Sequence, residues 1–160
     1  MAFKAKPSCE LAKKVLPAPL YECLEYFFQQ KIPNVVLVGG TALSGFYAGH
    51  RRSDDLDLFT KNSDSHKAAI LAAKSLSSLG VKFTYEFQTP HYYKAVCSFK
   101  NHAFTVEIVI DEHLFQIGKF ETLSNSMTVA SLSTLFQMKA STLISRCSRS
   151  EEHTSELQSR

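Results

Sequence analysis

The chain has 160 residues, 44% of them hydrophobic and 21% charged, with a formal net charge of +3. That length gives one domain or part of one, with enough apolar residues for a real core. The small charge excess supplies no strong basic field to advertise a nucleic-acid partner, although a local basic patch stays open. Cys9, Cys23, Cys97 and Cys147 are widely spaced and form no C-x-x-C pair, so they support neither a zinc site nor a disulfide framework. The N-terminus shows no apolar run of signal-peptide type, and no segment has the length of a membrane span. The expectation is a cytoplasmic protein with free thiols and no membrane partner.

Taken in chain order, Leu20 to Gln30 is predicted helical, with Leu20, Leu24, Phe27 and Phe28 on one face and Pro17 and Pro19 confining its start. Pro33 and Asn34 turn the chain into Val35–Val38, an apolar, β-branched run that predicts a central strand covered on both faces. A short helix over Thr41–Ala48 and a strand over Leu56–Phe59 follow. Ser63 and Asp64 are expected to cap a helix from Ser65 to Leu79, closed by Gly80. Val81–Gln88 and Tyr92–Phe99 have strand character. Lys100-Asn101-His102 is expected to reverse the chain into a strand over Phe104–Ile110, giving an antiparallel hairpin. Val129 ends a short strand, and Ser131–Arg146 is helical, with Leu132, Leu135, Phe136, Lys139, Leu143 and Arg146 at helical spacings. The alternation predicts an α/β (α+β) domain built on a small mixed β-sheet flanked by helices.

Two motifs on consecutive strands carry chemistry. Asp55 and Asp57 are i and i+2 in a strand, so they share a face and lie roughly 6.5 Å apart. Two carboxylates on one face repel, and a divalent cation such as Mg²⁺ relieves the repulsion through hard oxygen ligands. Alone the pair is weak, since with 15 acids in 160 residues about one such triplet arises by chance. Gly39-Gly40-Thr41 sits where a buried strand turns into a helix. Glycine lets backbone approach a phosphate, free N–H groups at a helix start attract anions, and Thr41 offers a hydroxyl donor. If the two strands pair, phosphate cradle and metal ligands face one cleft. A third carboxylate would complete a two-metal site. Glu107 is the first choice, because a mid-strand charge needs a reason; Asp111, at the strand end, is the second. Arg51 and Arg52 either meet phosphate or hold the loop through Asp54. The scattered His66, His91 and His102 read as surface residues, and Tyr92 and Tyr93 as strand packing in preference to base stacking.

Gly39-Gly40-Thr41-Ala42-Leu43, followed by Arg51-x-Ser53-x-Asp55-Leu56-Asp57-Leu58-Phe59, resembles the AbiEii family of nucleotidyltransferases, toxins of bacterial toxin–antitoxin and phage-defence systems. The matching block runs from about Val35 to Phe59, with weaker similarity from Phe104 to Arg146. The resemblance implies the nucleotidyltransferase fold and transfer of a nucleoside monophosphate from an NTP. It implies that Gly39, Gly40, Thr41, Arg52, Ser53 and Lys139 hold the nucleotide, with Arg146 a weaker candidate. It implies that Asp55, Asp57 and Glu107 are catalytic and bind Mg²⁺, although such enzymes usually carry Asp at the third position. The acceptor it implies is RNA, tRNA being the specific version, and the protein partner an antitoxin. Two alternatives are a small-molecule (antibiotic) nucleotidyltransferase and a non-catalytic domain that binds a nucleotide or an antitoxin. Arg149–Ser159 resembles the translation of a sequencing-library adapter. The expectation is therefore a nucleotidyltransferase domain over residues 1–148, lacking its C-terminal part, with a non-native tail over 149–160.

Overall fold

A computed structural model describes residues 4–49 and 53–158, with side chains as far as Cys147. Helix α1 (Cys9–Val15) starts at Ser8, whose side chain accepts from Leu11 N. Helix α2 (Ala18–Gln29) follows, with prolines at its entry and Leu20, Leu24, Phe27 and Phe28 buried, as its spacing predicts. Strand β1 (Val35–Val38) is buried at every position. A wide, π-type helix spans Thr41–Ala48 and ends at Gly49 in the left-handed region, φ 67°. Strand β2 (Asp55–Thr60) and helix α3 (Ser63–Lys74) come next, then a 3₁₀ segment (Ser75–Leu79) closed by Gly80 at φ 104°.

The cap of α3 differs from the sequence expectation. Asn62, not Ser63 or Asp64, is the N-cap: its side chain accepts from Ser65 N, and Ser65 Oγ accepts from Asn62 N, a reciprocal capping box. Strands β3 (Lys82–Gln88), β4 (Tyr92–Phe99) and β5 (His102–Ile110) form a meander. Phe99 pairs with His102, and the two residues between them, Lys100 and Asn101, sit at φ 50° and 62°. Both central residues are thus left-handed, the geometry whose twist matches a two-residue hairpin. A short helix α4 (Glu112–Ile117), strands β6 (Phe120–Thr122) and β7 (Thr128–Ala130), and the long helix α5 (Leu132–Gln158) complete the chain.

The seven strands form one mixed sheet in the order β3-β4-β5-β2-β1-β7-β6. β2 is the hinge of the topology: it runs antiparallel to β1 and parallel to β5. Because paired residues share a face, the register separates two surfaces. One carries Leu37, Leu58, Val106, Ile108 and Ala95, all buried, with α2 and α3 packed on its strands. The other carries Val38, Asp57, Glu107 and Lys94 in one row, with Asp55 and Thr105 in the next. The wide helix, itself packed against α1 and α5, lies beside the β1 and β2 part of the sheet. Tyr47 ties the wide helix to β7 through a buried hydroxyl that donates to Ala130 O at 2.7 Å.

Two histidines depart from the surface assignment. His66 is 2% exposed, because α3 turns it toward β2, where its Nδ1 lies 3.5 Å from Thr60 Oγ1. His102 is half-buried and its Nε2 lies 3.0 Å from Asp54 Oδ1. His91 is exposed, as expected. Among the described residues no helix is long and apolar enough to cross a membrane, and all four cysteines are free.

Candidate active site

Strand pairing does for the site what spacing alone does not. Asp57 is the register partner of Val38 on β1 and of Glu107 on β5. The glycine turn leaving β1 therefore opens onto Asp57, and Glu107 stands beside it on the next strand. Gly39 has φ 76°, and a Cβ built on it would fall 2.2 Å from Asp57 Oδ2. Only glycine gives both the left-handed turn and room for that carboxylate.

Asp57 is partly buried between two other acids. Burial, with the Glu107 and Asp55 charges adding, pushes its pKa up to about 6. Asp55 is exposed and accepts from Thr105 Oγ1 at 2.6 Å. Glu107 Oε1 accepts from Tyr92 Oη at 2.9 Å and lies 3.5 Å from Lys94 Nζ. Asp111, the second choice for a third acid, is engaged elsewhere: it N-caps α4, its Oδ1 accepting from Leu114 N at 3.0 Å. Among the described residues no three or more His, Cys, Asp and Glu side chains already close around one point. What the strands bring together is a row of hard oxygen donors in which burial, and then the Glu107 and Asp55 charges, favour the protonated form of Asp57 below about pH 6. That electrostatic state fits a divalent cation, which would replace the proton.

A pocket of about 620 Å³ opens next to these acids. The glycine turn (Gly39, Gly40) and Ser44 form one wall, Asp57 and Glu107 form the floor, and Leu135, Lys139, Thr142 and Arg146 of α5 form another wall. Those four α5 residues follow the 3–4 spacing of one helix face, so Lys139 and Arg146 line the pocket from positions two turns apart. Leu43, Phe59, Val109 and Met138 make the rest apolar. A charged floor, two cations and an apolar wall suit a molecule with polyphosphate at one end and a flat ring at the other.

Thr41 and Ser53 stand outside this pocket. Thr41 is fully buried; its hydroxyl donates to Asp55 O and lies 2.8 Å from Ser53 Oγ. The structure thus gives Thr41 a position where it ties the glycine turn to the start of β2. Arg51 and Arg52 lie outside the described residues. Tyr92 and Lys94, the neighbours of Glu107, had little signal in sequence. Their i, i+2 spacing gives a shared face, but only the β4–β5 register shows that the face is that of Glu107. Tyr93, by contrast, is packing as expected: it is fully buried, with its hydroxyl donating to Glu86 Oε1 at 2.7 Å.

This mixed sheet, with its acids on adjacent strands beside a glycine turn, has the nucleotidyltransferase fold. A Helicobacter pylori structure assigned as a nucleotidyltransferase is 19% identical with a TM-score of 0.55; the match covers 82% of this chain and 58% of that one. JHP933, also from Helicobacter pylori, is 19% identical with a TM-score of 0.55 over 83% of this chain and 57% of its own. The Mycobacterium tuberculosis nucleotidyltransferase toxin MenT4 is 16% identical with a TM-score of 0.42 over 64% of this chain and 41% of its own. The chain therefore spans little more than half the length of the first two structures it matches. The family is defined more narrowly by sequence: residues 24–154 match the model for "Nucleotidyl transferase AbiEii toxin, Type IV TA system", and the chain belongs to that family. No individual curated protein matches it.

Proposed function

We propose that this protein transfers a nucleoside monophosphate from an NTP to a hydroxyl of an RNA acceptor, tRNA being the specific case, as the toxin of a toxin–antitoxin system active in phage defence. The single observation that carries the transfer reading is the glycine turn at Gly39 set directly against Asp57, with Glu107 beside it on the neighbouring strand. The toxin role, and with it a cognate antitoxin, rests on family membership; the RNA acceptor is the one the resemblance of the motifs implies.

In this reading Gly39 and Gly40 admit the triphosphate to close backbone contact, and Lys139 and Arg146 meet its charge from α5. Asp55, Asp57 and Glu107 would hold Mg²⁺, which when bound neutralises the acids and the pyrophosphate as it leaves. The acceptor oxygen bonds to the α-phosphorus as the bond to the bridging oxygen breaks, and pyrophosphate departs. Glu107 takes the hydroxyl proton, with Tyr92 and Lys94 fixing its other oxygen. Thr41 and Ser53 act at one remove, holding the glycine turn against Asp55.

The test is labelling of RNA with nucleotide in the presence of Mg²⁺. The double variant Asp55→Ala/Asp57→Ala should lose transfer while keeping its fold by circular dichroism. Wild-type transfer by that variant would overturn the assignment.

A further inference from the structure

The sheet face that carries the acids continues past them. From Glu107 the row passes to Lys94 on β4 and to Phe87 on the edge strand β3; the row beside it runs from Thr105 to Val96 to Tyr85. At about 4.8 Å per strand, Phe87 stands about 10 Å from Glu107. Tyr85 and Phe87 are 54% and 47% exposed. Tyr92 joins them to the acids: its ring lies 6.2 Å from that of Phe87, and its hydroxyl donates to Glu107.

A bulge between Phe83 and Tyr85 switches the faces of β3: Phe83 pairs with Cys97 on the core side, whereas beyond the bulge Glu86 and Gln88 take that side, opposite Ala95 and Tyr93. Tyr85 and Phe87 face outward with the acids. Glu86 has a partner on the core side, the Tyr93 hydroxyl; Tyr85 and Phe87 gain little burial on the side they take. Charge on this surface of β3 and β4 is basic: Lys82 shares it with Ser98, and Lys94 shares it with Phe87.

The site's geometry supplies the occupant. The pocket under α5 runs from the glycine turn after β1 across Asp57 and Phe59 to Glu107 and Val109 of β5, and no residue of β3 or β4 lines it. In an in-line displacement the attacking hydroxyl comes from the side opposite the leaving group. With the NTP in that pocket, an acceptor strand reaches the acids over β5, β4 and β3. Resting on the nucleotidyl-transfer reading with an RNA acceptor, we propose that Tyr85 and Phe87, continued by Tyr92, are a stacking platform for the single-stranded segment next to the reacting hydroxyl. Exposed aromatics beside lysines are the ordinary means of binding unpaired bases and their phosphates.

The chain has no tryptophan, so Phe87→Trp installs a unique fluorophore on the platform. Wild type is first offered oligoadenylate and bulk tRNA as acceptors. Titrating F87W with whichever RNA the wild type extends should quench its emission. Tyr85→Ala/Phe87→Ala should raise KM for that RNA at least about tenfold, the scale of one lost stack, with unchanged NTP affinity by calorimetry. Tyr85→Trp/Phe87→Trp should retain the wild-type KM. If wild type extends RNA but F87W emission does not move, or the double alanine variant keeps its KM, the platform is wrong and the transfer reading stands. If wild type transfers nucleotide but to neither RNA, the RNA acceptor and the platform both fall. If no transfer to any acceptor occurs, the nucleotidyl-transfer reading itself fails.

Discussion

Asp57 makes a prediction that separates the site from an ordinary strand end. Its carboxyl ordinarily titrates at 3.8 and is held at about 6 in the fold. Between those values the folded chain keeps a proton that the unfolded chain has released, so stability falls as pH rises and stays reduced above about pH 6. Two pH units correspond to about 3 kcal/mol, and partial solvent access trims this to about 2 kcal/mol. Asp57→Asn removes the charge and keeps the shape. In urea unfolding with chelator present, the variant should be about 2 kcal/mol more stable than wild type near pH 8, and equal to it near pH 3.5. Saturating Mg²⁺ should raise the stability of wild type and leave the variant unchanged. Catalysis should be lost where stability is gained. A variant no more stable than wild type at about pH 8, or a gain of the same size at both pH values, would refute the claim that burial and the two neighbouring acids raise the pKa of this carboxyl.

Gly39→Ala places a methyl against Asp57 Oδ2 in a left-handed turn; it should cost at least about 1–2 kcal/mol in urea unfolding and abolish transfer. Glu107→Gln should lower kcat by about a hundredfold or more with little change in thermal stability, since the residue is only half-buried. Lys139→Ala, at an exposed position lining the pocket, should weaken NTP binding by about tenfold or more in calorimetry, the scale of one charge-assisted hydrogen bond, while leaving unfolding unchanged.

The local elements were largely legible because their residues state them. Val35–Val38 is a pure β-branched and leucine run, and Phe104 to Ile110 alternates cleanly, so both strands appear where expected. Pairing was not legible. That β2 lies between β1 and β5, antiparallel to one and parallel to the other, depends on contacts between residues about 20 and 50 positions apart. Glu107 was picked out by its mid-strand charge, but its place beside Asp57 came only with that register. So did the role of Tyr92, whose sequence neighbour Tyr93 faces the core. Short elements also escaped: α1 has only seven residues and one buried position, and β6 three residues. His66 shows how a lone polar residue misleads: its helix face is otherwise alanine and isoleucine, and those residues carry it inward. Thr41 belongs to the glycine motif, yet its hydroxyl is turned to Asp55 O and Thr41 does not line the pocket.

Nucleotidyl transfer differs from phosphoryl transfer and from simple nucleotide binding in which phosphorus moves. Offering the protein NTP labelled at the α-phosphorus or the γ-phosphorus, with Mg²⁺ and RNA, and following the label separates the three. The α-label should enter the acceptor, the γ-label should leave as pyrophosphate, and neither should happen in Asp55→Ala/Asp57→Ala. Transfer of γ-label to the acceptor, or binding of NTP with no α-label transferred to any acceptor, would contradict nucleotidyl transfer.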